Sequence, residues 1–307
     1  MQNILSVDVE DWFQVEAQTE AIRFADWHSF RMRVLPNVLT LLGIFDRYGV
    51  RATFFVLGWV AEKLPDLIDH IAARGHEIAS HGYAHRLVRR QTPEEFAEDV
   101  GRSLEVIRKS VDVRVKGYRA PSFSVGERTP WAWKVLADFG LEYDSSIFPI
   151  HHDTYGSPDL PRFPFRIELD DGRRIDEIPL TTVRVLGQNF PAAGGGYLRL
   201  FPYWYTRRAI RAVNRVGHPA VVYLHPWEID PHQPRTKLSL VSRFRHYTNL
   251  STTEYKLEHL LADFRFGTVE EFRQQIDPET LPRLAVAELA RPRPLPPSKG
   301  VVVPPIN

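Results

Sequence analysis

With 307 residues, 43% of them hydrophobic, and a formal charge of +1, the chain can bury one large barrel-type core or two smaller ones. It carries no basic block of the kind that binds nucleic acid, and the lack of cysteine excludes disulfides, thiolate nucleophiles and cysteine-ligated zinc. No stretch reaches the ~18 apolar residues of a membrane span, and the chain enters Ile4-Leu5-Ser6-Val7 without a basic leader, so a cytoplasmic protein with no transmembrane segment is the expectation.

Residues 3–9 read as a strand whose apolar run ends in Asp8, Glu10 and Asp11. Acids gathered where a strand leaves a core stand at the mouth of a site in α/β folds, although the same acids can cap a helix starting near Trp12. The two-residue period of a strand puts Asp8 and Glu10 on one face and turns Asp11 away unless the chain has already bent. Val38, Leu41, Leu42 and Phe45 predict a helix over 35–48, stopped by Gly49. A buried strand over 52–57, a helix over 64–74 closed by Gly75 and a strand over 77–80 follow, the alternation of a parallel sheet or barrel. That third strand delivers His81 and His85. On a helix or a tight loop their four-residue spacing brings both rings to one side, where one small cation can take a nitrogen from each. Thr92 and Pro93 open a helix over 93–110 with Phe96, Val100, Leu104 and Ile107 along one face.

A short strand from residue 115 leads to Arg119 and the bend at Pro121. Arg119 is either solvated or turned into the same mouth as Asp8, where its guanidinium would hold that carboxylate ionised. A helix over 131–139 precedes a strand over 141–146 that ends at Asp144, an acid equally at home in a turn. Asp171-Gly172 signals a tight turn before a strand or hairpin over 175–185. Gly194-Gly195-Gly196 lacks the residues of a phosphate-binding loop and reads as a flexible loop. The aromatic group Tyr197, Phe201, Tyr203, Trp204 and Tyr205 is either core or a platform for sugar rings. After a helix over 203–216, the apolar strand 219–224 stops at His225, held by Pro226.

Taken together, five short stretches resemble the polysaccharide deacetylase family, carbohydrate esterase family 4. They are Ser6-Val7-Asp8-Val9-Glu10-Asp11, Ser80-His81-Gly82-Tyr83-Ala84-His85, Arg119-Ala120-Pro121, Tyr143-Asp144-Ser145-Ser146 and Leu224-His225-Pro226-Trp227-Glu228, in the family's order. The region 194–272 resembles the extension of a subgroup encoded with bacterial exopolysaccharide and exosortase systems. The resemblance implies an α/β fold, a distorted (β/α)7 barrel, with residues 1–287 as the catalytic domain, and the prolines that punctuate the end of the chain predict a flexible tail over 288–307. It departs from the common first motif, in which two aspartates are adjacent. The spacing of a related branch makes Asp8 the base and Glu10 the metal ligand, with Asp11 as the alternative ligand.

The activity implied is metal-dependent removal of N-acetyl groups from an N-acetylated glycan, in exopolysaccharide biosynthesis and peripheral to its assembly system. Zinc is the implied ion, with Co2+, Ni2+ or Fe2+ as alternatives, held by Glu10, His81 and His85. Asp8 is the implied general base, oriented by Arg119, and His225 the general acid, its pKa raised by Asp144. The Ser122 N–H is assigned to the oxyanion, and Trp227 to the substrate side of the site. An allantoinase-like or cyclic-imide hydrolase on the same scaffold, or a carbohydrate-binding protein without catalysis, are the competing readings.

Overall fold

β1 (Gln2–Val9) joins large apolar residues on one side to Ile4, Ser6 and Asp8 on the other, and seven of its eight residues are buried. A strand covered on both faces is the mark of a parallel sheet flanked by helices. The computed structural model describes residues 1–19, 21–152, 155–192 and 194–289. After β1 come α1 (Val34–Tyr48), β2 (Thr53–Val56), α2 (Gly58–Lys63), α3 (Pro65–Ala72), β3 (Glu77–Ser80), α4 (Pro93–Ser110), β4 (Gly117–Tyr118), α5 (Trp131–Asp138) and β5 (Tyr143–Asp144). Two hairpins follow, β6 (Phe165–Glu168) with β7 (Arg174–Glu177) and β8 (Thr182–Val185) with β9 (Gln188–Pro191). The chain then forms α6 (Gly195–Leu200), α7 (Tyr203–Arg215), β10 (Val221–Leu224), α8 (Leu240–Tyr247), α9 (Thr253–Asp263), β11 (Arg265–Gly267), α10 (Val269–Gln275), β12 (Arg283–Ala285) and α11 (Val286–Leu289).

Strands β10, β1, β2, β3, β4, β5 and β7 stand side by side in that order, every neighbouring pair parallel. The ring is completed between β7 and β10, where the Thr181 N–H donates to the Val221 carbonyl at 3.4 Å and the Val221 N–H to the Thr181 hydroxyl at 2.5 Å. This is the α/β fold expected, a (β/α)7 barrel distorted by two-residue strands at β4 and β5 and by that loose closure. β11 lies parallel to the first half of β1, and β6 carries β12 at the far edge.

Side-chain alternation divides the core. Leu5, Val7 and Val9 pack outward with Leu41, Phe45 and Phe54 beneath the helices, whereas Ile4 packs inward with Phe55, Ala79, Tyr143, Val221 and Tyr223. The same alternation aims Ser6 and Asp8 into the barrel. Local signals hold the helices in register. Thr92 and Glu95 form a reciprocal capping box on α4, and Gly49 ends α1 in the left-handed region at φ +61°.

Two expectations change. The strand over 175–185 is broken at 178–181, because that segment turns from β7 to reach β10, and its two halves belong to different sheets. The triple glycine is no loose loop: α6 begins there, and a Cβ on Gly194 would stand 2.1 Å from the Tyr223 ring. Glycine is required by that close approach and by φ +115°. Of the Pro-rich tail expected over 288–307, Glu288 and Leu289 end α11, and the residues from 290 onward lie outside the described residues. Among the described residues no helix is long and apolar enough to cross a membrane.

Candidate active site

The ends of β1, β3 and β10 bring Glu10, His81, His85 and His225 to one mouth of the barrel. One ligand-capable atom from each of Glu10, His81 and His85 lies within 4.8 Å of the others, and all three residues are buried. The histidine pair sits on a loop, not a helix, turned by Gly82 at φ +73° and His85 at φ +53°. Asp99, on the buried face of α4, fixes this loop by accepting the Tyr83 N–H at 2.8 Å and the Ala84 N–H at 3.2 Å. His81 Nδ1 donates to the Arg119 carbonyl at 2.7 Å, which leaves Nε2 as the ring's lone-pair nitrogen. Burial lowers the His81 pKa to about 4, so the ring is neutral, as a ligand must be.

Glu10 Oε2 is a buried oxygen without a hydrogen-bond partner, although it lies 2.7 Å from His85 Nε2. Burial opposes the Glu10 charge, but His85 and His225 outweigh it and bring the pKa down to about 2. An ionised orphan oxygen facing two ring nitrogens is a donor set suited to a divalent ion with a coordination position left open. The other Glu10 oxygen, Oε1, accepts the Trp227 indole N–H at 3.2 Å.

Asp8 is 2% exposed and bound by Arg119, whose Nη1 donates to Oδ1 at 2.7 Å. Arg119 is fully buried and also bonds the Ser6 hydroxyl, the Ser145 carbonyl and the Ser145 hydroxyl, with Phe55 4.1 Å beneath its plane. Of its two expected states, solvated or turned inward, Arg119 takes the second. His225 Nε2 stands 3.4 Å from Glu10 Oε1 and 3.9 Å from Asp8 Oδ2, with 17% of its side chain open to solvent. Burial works against its charge, yet Glu10, Glu228 and Asp8 raise its pKa to about 9. Ser122 occupies the turn after Arg119 in the left-handed region, φ +49°, and its N–H has no acceptor among the described residues.

Three assignments are corrected. Asp11 is not one of the grouped ligands: it accepts the backbone N–H groups of Trp12, Arg33 and Val34 and so anchors the start of α1. Asp144 does not pair with His225. Its oxygens accept the Trp133 indole and the Ser146 hydroxyl, and it neighbours Glu177 across β5 and β7. The acid at Nδ1 of His225 is Glu228, whose Oε2 lies 3.1 Å away. Trp227, 5% exposed, is sandwiched between His225 and His246 and orients Glu10 instead of forming a substrate wall.

Residues 33–143 match the family model described as Polysaccharide deacetylase, and residues 145–274 match a Domain of unknown function (DUF3473). Over 98 residues the chain is 31% identical to a peptidoglycan-N-acetylglucosamine deacetylase of Bacillus cereus, a match spanning 32% of this chain and 34% of that protein. Over 113 residues it is 29% identical to a peptidoglycan deacetylase of Helicobacter pylori, spanning 37% of each. The matches thus span about a third of the length of these curated relatives. A crystal structure from Mycobacterium smegmatis, assigned to the polysaccharide deacetylases, shares the fold at a TM-score of 0.60 and 23% identity, covering 92% of this chain and 93% of that one. Both ligand-type imidazoles and Arg119 fall inside the segment, residues 33–143, that matches the polysaccharide deacetylase family, and the fold around them is the one shared with that solved structure.

Proposed function

We propose that this protein hydrolyses the acetamide of an N-acetylated glycan, releasing acetate and leaving a free amine on the sugar. The observation that carries this reading is the meeting of Asp8, held by Arg119, with His225 beside the Glu10, His81 and His85 cluster in one cleft. Glu10, His81 and His85 would hold a divalent ion, zinc by the mix of two imidazoles and one carboxylate, which when bound supplies Lewis acidity and lowers the pKa of a water. Asp8 takes the proton of the attacking water, and Arg119 keeps its carboxylate oriented for that transfer. The Ser122 N–H donates to the carbonyl oxygen as it gains negative charge. His225 gives a proton to the departing nitrogen, so that the carbon–nitrogen bond breaks as the new carbon–oxygen bond is completed. The likeness of the region from Gly194 onward to the exopolysaccharide-linked subgroup supports an exopolysaccharide as the glycan.

The test is acetate release from N-acetylated chitooligosaccharides and peptidoglycan fragments by the wild type and by Asp8→Asn, His81→Ala and His225→Ala. Each variant is expected to lose at least about 100-fold in kcat/KM, the ordinary scale for removal of an acid or base. Undiminished hydrolysis by all three would overturn the assignment.

A further inference from the structure

His225 lies outside the deacetylase match, in the region matched only to a domain of unknown function, and so does everything that holds it. Glu228 Oε2 accepts the His225 backbone N–H at 3.0 Å and lies 3.1 Å from Nδ1. Its other oxygen, Oε1, accepts Arg199 Nε at 2.7 Å. Arg199 and Glu228 are each 1% exposed at the side chain. The arginine is in turn pinned from three sides: Nη1 donates to the Thr248 carbonyl at 2.6 Å, Nη2 donates to the Arg245 carbonyl at 2.8 Å, and Trp227 lies 5.4 Å under the guanidinium. Lys256 fixes the end of α6 by donating to the carbonyls of Leu198, Arg199 and Phe201.

A buried arginine–glutamate pair loses more hydration than a well-packed apolar pair of the same volume, so packing alone does not account for one. Here the pair has a directional outcome. With Oε1 engaged by Arg199, the carboxylate cannot rotate, and its remaining oxygen meets Nδ1. A carboxylate only accepts, so Nδ1 carries a hydrogen and Nε2 is turned toward Asp8 and Glu10. Trp227, stacked on His225 at 5.2 Å and 21°, holds the ring plane.

We propose that Arg199 is a positioning residue for the reaction: by clamping Glu228 it sets the orientation of the His225 ring, and this is what the region beyond the deacetylase match contributes to the chemistry. The inference rests on the deacetylase reading above for the identity of the reaction, and on the geometry alone for the orientation of the ring.

Two readouts separate these. In protein labelled with 15N-histidine and free of metal, a Nδ1–H donated to a buried carboxylate gives a downfield proton signal protected from exchange, lost in His225→Ala. Arg199→Lys and Glu228→Gln are expected to weaken or abolish that protection in protein that remains folded, with the bound-metal content close to wild type. In acetate release, Arg199→Lys should lower kcat about 10- to 100-fold with KM changed less than about twofold, the usual scale for a group that orients a site residue. Arg199→Ala, which loses the clamp outright, should be partly restored by added guanidinium ion. An unaltered His225 Nδ1–H signal in folded Arg199→Lys and Glu228→Gln would overturn the inference, as would kcat falling only in step with unfolding. If the wild type releases no acetate from any glycan, the deacetylase reading fails, while the proton signal still decides whether Arg199 orients the ring.

Discussion

Glu10 Oε2 and His85 Nε2 stand 2.7 Å apart in a buried pocket with no hydrogen bond between them. A buried, ionised oxygen in that position is costly unless a positive charge faces it. On the proposed function, a cation shared with His81 would supply that charge. Glu10→Gln removes the negative ligand and nearly nothing else, so the purified variant should hold background metal where the wild type holds about one ion per chain, as elemental analysis would show. Chelation should lower the wild-type unfolding temperature, since an ion bound only by the folded state stabilises it, and leave that of Glu10→Gln unchanged.

Asp11, one residue further on, gives the opposite result. Its carboxylate takes three backbone N–H groups, from Trp12, Arg33 and Val34, two of them unmet at the start of α1. Asp11→Ala strands these donors, and the expected cost is about 2–3 kcal/mol in denaturant unfolding, with the metal content of the folded fraction unchanged. Lost metal without lost stability would reverse the roles given to the two acids.

Asp8, Glu10, His81, His85 and Arg119 were legible because each stands at or just past the end of a short apolar strand, where β1, β3 and β4 must deliver it to the same rim. The alternation of strands and helices made the barrel legible for the same reason, down to the capped start of α4 at Thr92. What the sequence hides is contact between distant segments. Arg199 is one of 39 basic residues and has no local mark; only the fold buries it against Glu228. Asp99 interrupts the apolar face of α4, a detectable oddity, but nothing in sequence says that it meets the Tyr83 and Ala84 amides. The family resemblance points to Asp144, 81 positions away, as the partner of His225, whereas the acid three residues on reaches back across its own turn.

Trp227 offers a test of how the ligand carboxylate is held. Its indole N–H donates to Glu10 Oε1 at 3.2 Å while its ring stacks 4.4 Å from His246. Trp227→Phe keeps an aromatic ring in the stack and deletes the donor. Metal affinity, measured by competition with a chelator, should fall about 10-fold or more, in line with the loss of a group that orients a ligand. Affinity equal to wild type would mean that the indole serves packing alone.

Asp144 and Glu177 provide a pH dependence remote from the ligand cluster. They are partners in the β5–β7 register, both fully buried, and burial is the leading cause that raises Asp144 to about 6 and Glu177 well above its ordinary value. Two carboxylates in contact cannot both ionise there, so the folded state keeps a shared proton that the unfolded chain gives up near pH 4. Because the folded values are raised, the pair's contribution to stability is complete below the ordinary carboxylate range and is lost as pH rises through the raised values, about 6 for Asp144 and well above the ordinary range for Glu177. Glu177→Gln retains an oxygen for the Ile147 N–H, which Glu177 Oε1 now accepts at 2.9 Å, and offers Asp144 a permanent N–H in place of the proton. Relative to wild type, the variant should therefore gain on the order of 1–2 kcal/mol between about pH 5 and pH 8 in urea unfolding. Parallel curves for the two proteins across that interval would show that no proton is shared, and would leave the burial of both acids to be explained by Trp133, Ser146 and the Ile147 amide alone.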